Sequence, residues 1–156
     1  MNVGGGGRSI AKAIGWGVAI CGTLDILDAL VFYWFRAGVT PGRLLRSIAS
    51  VPLGATATHG GVGMAAVGLL IHYAIATFWV GLFVLFAQKI EWTFWRAVRV
   101  GALYGLVVYV CMNLGVLPVF QGRRAIHLDV VFVNAVMALV VFMGVGVALV
   151  NRRFAP

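Results

Sequence analysis

Four long apolar stretches, separated by short polar or glycine-rich segments, dominate the pattern of the chain. They cover about residues 14–35, 63–86, 97–117 and 128–150. Each is long enough to cross a bilayer as a helix, because about 20 apolar residues span roughly 30 Å of hydrocarbon. The pattern predicts an all-α fold, an antiparallel bundle of four transmembrane helices that forms a single integral membrane domain over residues 1–156.

A shorter amphipathic stretch, residues 40–50, lies between the first two spans. Its polar face repeats every three or four residues: Arg43, Arg46, Ser47 and Ser50. Thr40 is expected to cap a helix that has Pro41 at its first position, and Pro52 is expected to end it. Such a helix lies in the headgroup plane or folds over the bundle as a lid, and its two arginines then contact headgroups.

The composition excludes a soluble domain and argues against nucleic-acid binding. The chain is 62% hydrophobic and only 10% charged, with a mean hydropathy of +1.03, whereas soluble domains carry about 25% charged residues. The net charge of +8 comes from basic residues at the ends of the apolar stretches or between them. That placement is typical of anchoring to anionic headgroups, and no separate basic face remains for a nucleic acid.

Charge also orients the predicted spans. An even number of spans places both termini on one side, and that side collects seven of the twelve basic residues against five on the other. Positive charge concentrates on the cytoplasmic side of membrane proteins, so the termini are expected in the cytoplasm.

Small residues recur on the spans at a spacing of four. Gly101 and Gly105 form one pair, and Gly144 and Ala148 form another. Such pairs let helices approach closely. Packing within the chain is favoured over a dimer face, because a four-helix bundle with a polar interior needs that packing in any case.

Polar residues inside the spans cluster at one depth, and this is the main clue to a site. With a rise of about 1.5 Å per residue, Asp25 lies near the midplane, while Asp28 and His72 lie about 5 Å towards the side away from the termini. Asn134 and Asn113 come out about 6 and 8 Å along on that same side. Asp25 and Asp28 are three residues apart and share a helix face. The five residues therefore predict a hydrophilic chamber, a ligand site or proton pathway open at one end.

Each of these residues also has a structural interpretation. A buried aspartate can pair with Arg43 or Arg46 and merely fix the amphipathic helix in place. His72 alone is more often a hydrogen-bonded interior residue than a ligand. Asn113 and Asn134 are typical of hydrogen bonds between helices, worth about 0.6 kcal/mol each.

No cofactor is expected. His59 and His72 are 13 residues apart, which places them about 140° apart around a helix axis, so they do not suit a pair of stacked haem sites. Asp25, Asp28, His72 and Asp129 offer ligands suited to zinc, manganese or iron, but without a metal-binding motif. No G-x-S-x-G hydrolase motif is present. Cys21 and Cys111 are interpreted as small buried hydrophobic residues.

Several strings resemble an uncharacterised family of small bacterial four-span inner-membrane proteins. They are GTLDILDA (22–29), PGRLLRSIAS (41–50), GLLIHYAIA (68–76) and YGLVVYVCMNLGVLP (104–118), the last being the most specific. The resemblance covers most of the chain and implies a bacterial cytoplasmic membrane. The resemblance identifies no catalytic residues in this chain.

Three functions remain open at this point. The first is an accessory or scaffold subunit that docks on a larger membrane complex through glycine-rich and aromatic faces. Its partners are then other membrane subunits or further copies of the same chain. The second is a small transporter or a proton- or ion-handling protein that uses Asp25, Asp28 and His72. The third is a membrane-embedded enzyme or cofactor binder. The first is ranked highest because the chain has little soluble mass and no recognisable catalytic motif.

Overall fold

A computed structural model describes residues 4–121 and 129–154 of the protein. These residues are helical almost throughout and contain no strand. We number five helices: α1 (residues 4–37), α2 (Pro41–Leu53), α3 (Val62–Phe86), α4 (residues 94–121) and α5 (Val130–Phe154). Short 3₁₀ turns follow α2 at Ala55–His59 and α3 at Ala87–Lys89.

Three of the long helices contain a π-helical segment, in which backbone hydrogen bonds run from residue i to i+5. The segments are Val18–Gly22 in α1, Cys111–Val116 in α4 and Leu139–Gly146 in α5. The π segments lie inside otherwise continuous α-helices, and insertions of this kind are frequent at functional sites.

The prediction of an all-helical chain with four long apolar helices is confirmed. By length and composition, four helices of the described chain can cross a membrane: Ile10–Ala37, Val62–Lys89, Phe94–Phe120 and Val130–Phe154. Most of their ends extend several residues beyond the predicted spans, because helices continue through flanking polar residues that an apolar pattern does not mark. Leu128, the predicted start of the fourth span, lies outside the described residues.

The amphipathic helix α2 begins as predicted and ends slightly later. Thr40 caps it, since its side chain accepts a hydrogen bond from the backbone N–H of Arg43 at 3.4 Å, and Pro41 occupies the first turn. Pro52 lies inside the last turn, and the helix ends before Gly54, which has a φ of 83°. A positive φ suits glycine because it has no Cβ.

Helix α2 packs directly on α3. Gly68 of α3 is buried there, and a Cβ at this position would overlap the backbone carbonyl of Leu45. Ala49, one turn further along α2, is completely buried. The apolar side of α2 therefore faces protein along this contact.

Several close helix contacts gather at the end that contains the start of α1 and the end of α5, which we call the terminal half. A Cβ at Gly101 would lie 2.8 Å from the backbone oxygen of Gly144, and one at Gly105 would lie 2.5 Å from the Cα of Val140. A Cβ at Gly17 of α1 would lie 2.7 Å from the side-chain Cγ1 of Val80 on α3. The glycine pair of α4 is thus used inside the chain. A cluster of buried residues fills this half and includes Ala13, Cys21, Phe83, Val84, Ala97, Val147 and Ala148.

The two cysteines differ in their surroundings. Cys21 is buried, as expected, against Gly146. Cys111 is exposed on the outer surface of α4, so the expectation of a buried residue is wrong for this position. The next two residues in the sequence, Met112 and Asn113, line the cavity. Helical periodicity places Cys111 on another face of α4.

Candidate ligand-binding cavity

A cavity of about 310 Å³ lies between the helices, on the side of the bundle away from the terminal half. All five helices contribute to its wall. The five side chains that the sequence predicts for a chamber are all in that wall: Asp25, Asp28, His72, Asn113 and Asn134. The structure therefore brings together acids, an imidazole and amides from four separate helices.

Most of the wall is nevertheless apolar. Aliphatic side chains and three aromatic residues, Phe32, Tyr33 and Trp79, surround the polar groups. The sequence predicted a hydrophilic chamber, and the structure shows a more amphiphilic one. The reason is that each helix turns only one or two polar positions inwards, and the neighbouring positions of the same face are hydrophobic.

Asp28 is held by a residue of another helix. The Asn134 side-chain amide of α5 donates a hydrogen bond to the Asp28 carboxylate at 2.9 Å. A charge-assisted bond of this kind is stronger than one between neutral groups. It joins α1 to α5 within the cavity wall and satisfies part of the hydrogen-bonding capacity of a carboxylate in an apolar setting.

His72 is held by the backbone of α1. Its Nε2 lies 2.9 Å from the carbonyl oxygen of Gly22, the last residue of the π segment. A carbonyl oxygen only accepts, so Nε2 carries a proton, and in neutral His72 the lone pair is on Nδ1. Asp25 lies within electrostatic reach of both His72 and Asp28.

The Asp25 carboxylate is the least constrained polar group of the site. Within the described residues, no donor forms a hydrogen bond to this carboxylate. Every fully buried polar side-chain atom there has a hydrogen-bond partner, so the Asp25 oxygens, which have none, are not fully buried. They contact open space, and Asp25 lines the cavity. An incoming ligand or proton can reach this carboxylate without first displacing a donor.

The amide of Asn113 bonds within its own helix. Its Nδ2 donates to the Tyr109 carbonyl at 3.1 Å, beside the π segment of α4. This bond therefore stays within α4 and does not link two helices. Its carbonyl oxygen remains available as an acceptor in the cavity wall.

Arg43 and Arg46 do not line the cavity. The Nε of Arg46 donates to the backbone oxygen of Thr58 at 3.1 Å, which ties α2 to the 3₁₀ turn that follows it. The ion pair considered above, between a buried aspartate and Arg43 or Arg46, is not formed among the described residues, and Asp28 instead accepts a hydrogen bond from Asn134. Helix α2 instead contributes the apolar residues Ile48 and Val51 to the wall.

The aromatic residues of the cavity wall were not predicted from the sequence. Phe32 lies seven residues after Asp25, and Trp79 lies seven after His72, which is two helical turns in each case. This spacing places each ring on the same helix face as a polar residue already singled out, so Phe32 and Trp79 were predictable. A further missed contact joins the hydroxyls of Thr23 and Tyr73 at 2.8 Å and links α1 to α3.

The remaining candidates lie elsewhere. Asp129 caps α5, since its Oδ1 accepts from the backbone N–H of Phe132 at 3.0 Å. His59 is exposed in the turn after α2, and His127 lies outside the described residues. Over residues 4–121 and 129–154, no group of three or more His, Cys, Asp or Glu side chains is arranged to hold a metal ion.

Comparison with protein-family models, curated proteins and solved structures finds no match to this chain. The account of function therefore depends on the cavity and its chemistry.

Proposed function

We propose that the protein is a multi-pass protein of the bacterial cytoplasmic membrane, in which α1, α3, α4 and α5 cross the bilayer as an antiparallel bundle with both ends in the cytoplasm. The length and hydropathy of these helices support this. So do the contacts of Gly17 with Val80 and of Gly22 with Ala76, since the residue number rises along α1 as it falls along α3.

The proposed activity is that of a small transporter or proton-handling protein. The observation that carries the proposal is the meeting of Asp25, Asp28 and His72 in one cavity. Ionisable groups inside a membrane are expensive and typically mark ligand or proton pathways. Asp25 and Asp28 are adjacent acids on one helix face, next to an imidazole from another helix, so a proton or a charged ligand can be received there and passed on.

An accessory or scaffold subunit is the function that the sequence ranks first, and it stays a prediction. The glycines that were expected to serve docking on another subunit are largely used within the chain, as at Gly17, Gly68 and Gly101. This use weakens the case for docking through glycine-rich faces. Co-purification of a stoichiometric partner from native membranes would restore it.

Proton uptake into proteoliposomes tests this proposal. Purified protein is reconstituted into vesicles that contain a pH-sensitive dye, and a pH gradient is imposed across the vesicle membrane. Valinomycin and potassium balance the charge that the protons carry. We expect proton uptake above that of protein-free vesicles, and we expect Asp25→Asn to reduce it at least about tenfold, a change of about 1.4 kcal/mol.

The matched control is Asp129→Asn. This substitution removes the same charge outside the cavity and keeps a side chain that caps a helix equally well. It should leave proton uptake unchanged. If Asp25→Asn and Asp129→Asn behave alike while both proteins stay monodisperse, or if the wild type moves no protons, the proton pathway is refuted.

A further inference from the structure

The cavity also indicates which class of ligand it takes, on the basis of the proposed function. We propose that it binds an organic monocation with an apolar body, such as a protonated or quaternary amine that carries an aromatic ring. Three features lead to this inference: the charge balance of the wall, the aromatic rings beside the acids, and the volume.

The charge balance leaves the site at least one positive charge short. Among the described lining residues there are two carboxylates, Asp25 and Asp28, and one imidazole, His72, with no Lys or Arg. Even when His72 is protonated, one carboxylate charge has no counter-charge among these residues; Arg36 lies with Asp28 along a neighbouring surface groove and not in this wall. Attraction between charges is strong where the effective dielectric constant is low, so the cavity favours a cation or a proton and disfavours an anion.

The aromatic residues suit an organic cation better than a metal ion. Phe32, Tyr33 and Trp79 lie in the same wall as the two acids. The face of an aromatic ring attracts a cation within about 6 Å of its centre, and quaternary ammonium groups are recognised in this way. A metal ion prefers several oxygen or nitrogen ligands at once, and the described residues do not provide such a group.

The volume of the cavity sets the size of the ligand. A cavity of about 150 Å³ is enough for benzene, and this one holds about 310 Å³. There is room for an aromatic ring and a charged head group of comparable size. Apolar side chains such as Ile75, Val108 and Leu139 then contact the ring, while the head group lies near Asp25.

Binding of three small probes to the purified full-length protein in non-ionic detergent tests the inference. The probes are phenyltrimethylammonium, its neutral isostere tert-butylbenzene, and benzoate, each measured by equilibrium dialysis. We expect the cation to bind with one site per chain and at least about tenfold more tightly than tert-butylbenzene, and we expect benzoate to show no binding.

Variants locate the binding. Asp25→Asn should weaken binding of phenyltrimethylammonium at least about tenfold, Asp25→Glu should retain most of it, and Asp129→Asn should leave it unchanged. If Asp25→Asn is not monodisperse, Trp79→Leu replaces it, because loss of the ring should weaken the cation more than the neutral isostere.

The outcomes separate this inference from the proposed function. If tert-butylbenzene or benzoate binds as tightly as the cation, the ligand class is wrong, whereas the cavity as a ligand site stands. If none of the three probes binds, the inference also falls, and proton uptake by the reconstituted protein still decides the proposed function. Equal binding to wild type and Asp25→Asn contradicts the placement of the head group.

Discussion

At the scale of single residues, the cavity depends on a few hydrogen bonds that join different helices. Asn134 reaches Asp28 from α5, and His72 reaches the Gly22 carbonyl from α3. These bonds fix where Asp28 and His72 lie, while Asp25 keeps a free carboxylate in the same wall. Their contribution to stability and their chemical state can both be measured.

The bond between Asn134 and Asp28 should appear as a coupling free energy. A double-mutant cycle with Asn134→Ala and Asp28→Ala, which removes donor and acceptor in turn, should give about 0.6–1.7 kcal/mol, from the average to the maximum for hydrogen bonds between membrane helices. Unfolding by SDS in mixed micelles supplies the four free energies. Asn113→Ala is the matched control, because its amide bonds within α4. A cycle of Asn113→Ala with Asp28→Ala should be additive, and equal coupling in both cycles would contradict the bond between Asn134 and Asp28.

The tautomer of His72 is a second prediction at this scale. Since Nε2 donates to a carbonyl oxygen, neutral His72 should carry its proton on Nε2 and not on Nδ1. The ¹⁵N chemical shifts of a histidine-labelled sample distinguish the two forms, and His72→Gln identifies the signal. A neutral His72 with its proton on Nδ1 and none on Nε2 would show that the bond to Gly22 does not form.

Some of this site could be predicted from residues alone, and some could not. The separation of three between Asp25 and Asp28 determines that they share a face, and the depth of His72 follows from helical rise. The direction of His72 was not predictable, because it depends on which carbonyl of α1 is available. The π segment that ends at Gly22 changes that backbone locally, and its sequence, VAICG, carries no mark of it.

At the scale of elements, α2 was predicted as a helix with its capping residue, but its contact with α3 was not predicted. An apolar face has the same pattern whether it meets lipid or another helix. The contact is instead determined by Gly68, where the absence of a Cβ lets the two backbones touch. Gly38 and Gly54, both with positive φ, lie before and after α2.

Substitution of Gly68 should therefore disturb α2. Gly68→Ala places a methyl group against the Leu45 carbonyl and should lower the free energy of unfolding by about 1–3 kcal/mol, as overpacking does. Gly63→Ala is the matched control on the same helix, because a Cβ there meets nothing within 4 Å. Unfolding by SDS measures both. Equal stability of the two variants would show that α2 does not pack at Gly68.

At the scale of the whole molecule, the two halves of the bundle differ in their packing. The terminal half is filled by small and aliphatic residues and close glycine contacts. The other half holds α2 and the cavity. The gathering of polar residues in one half was visible in the sequence as a shared depth. The mostly apolar character of the wall was not, because it depends on how far the helices separate.

We infer that the cavity opens on the side of the bundle away from the termini, and that lipid covers the outer face of α5. Ala135 lines the cavity, whereas Val133, about 3 Å away in depth, is 56% exposed on the outside. With Cys21 and Cys111 replaced by alanine, Ala135→Cys and Val133→Cys are compared in spheroplasts. The reagent is the membrane-impermeant cation MTSET, which reacts with thiolates formed in water.

We expect Ala135→Cys to react with externally added MTSET, phenyltrimethylammonium to slow this reaction, and Val133→Cys to stay unmodified. Rapid modification of Val133→Cys together with an inert Ala135→Cys would contradict this inference directly. Water would then reach the surface where we infer lipid and would be absent from the cavity.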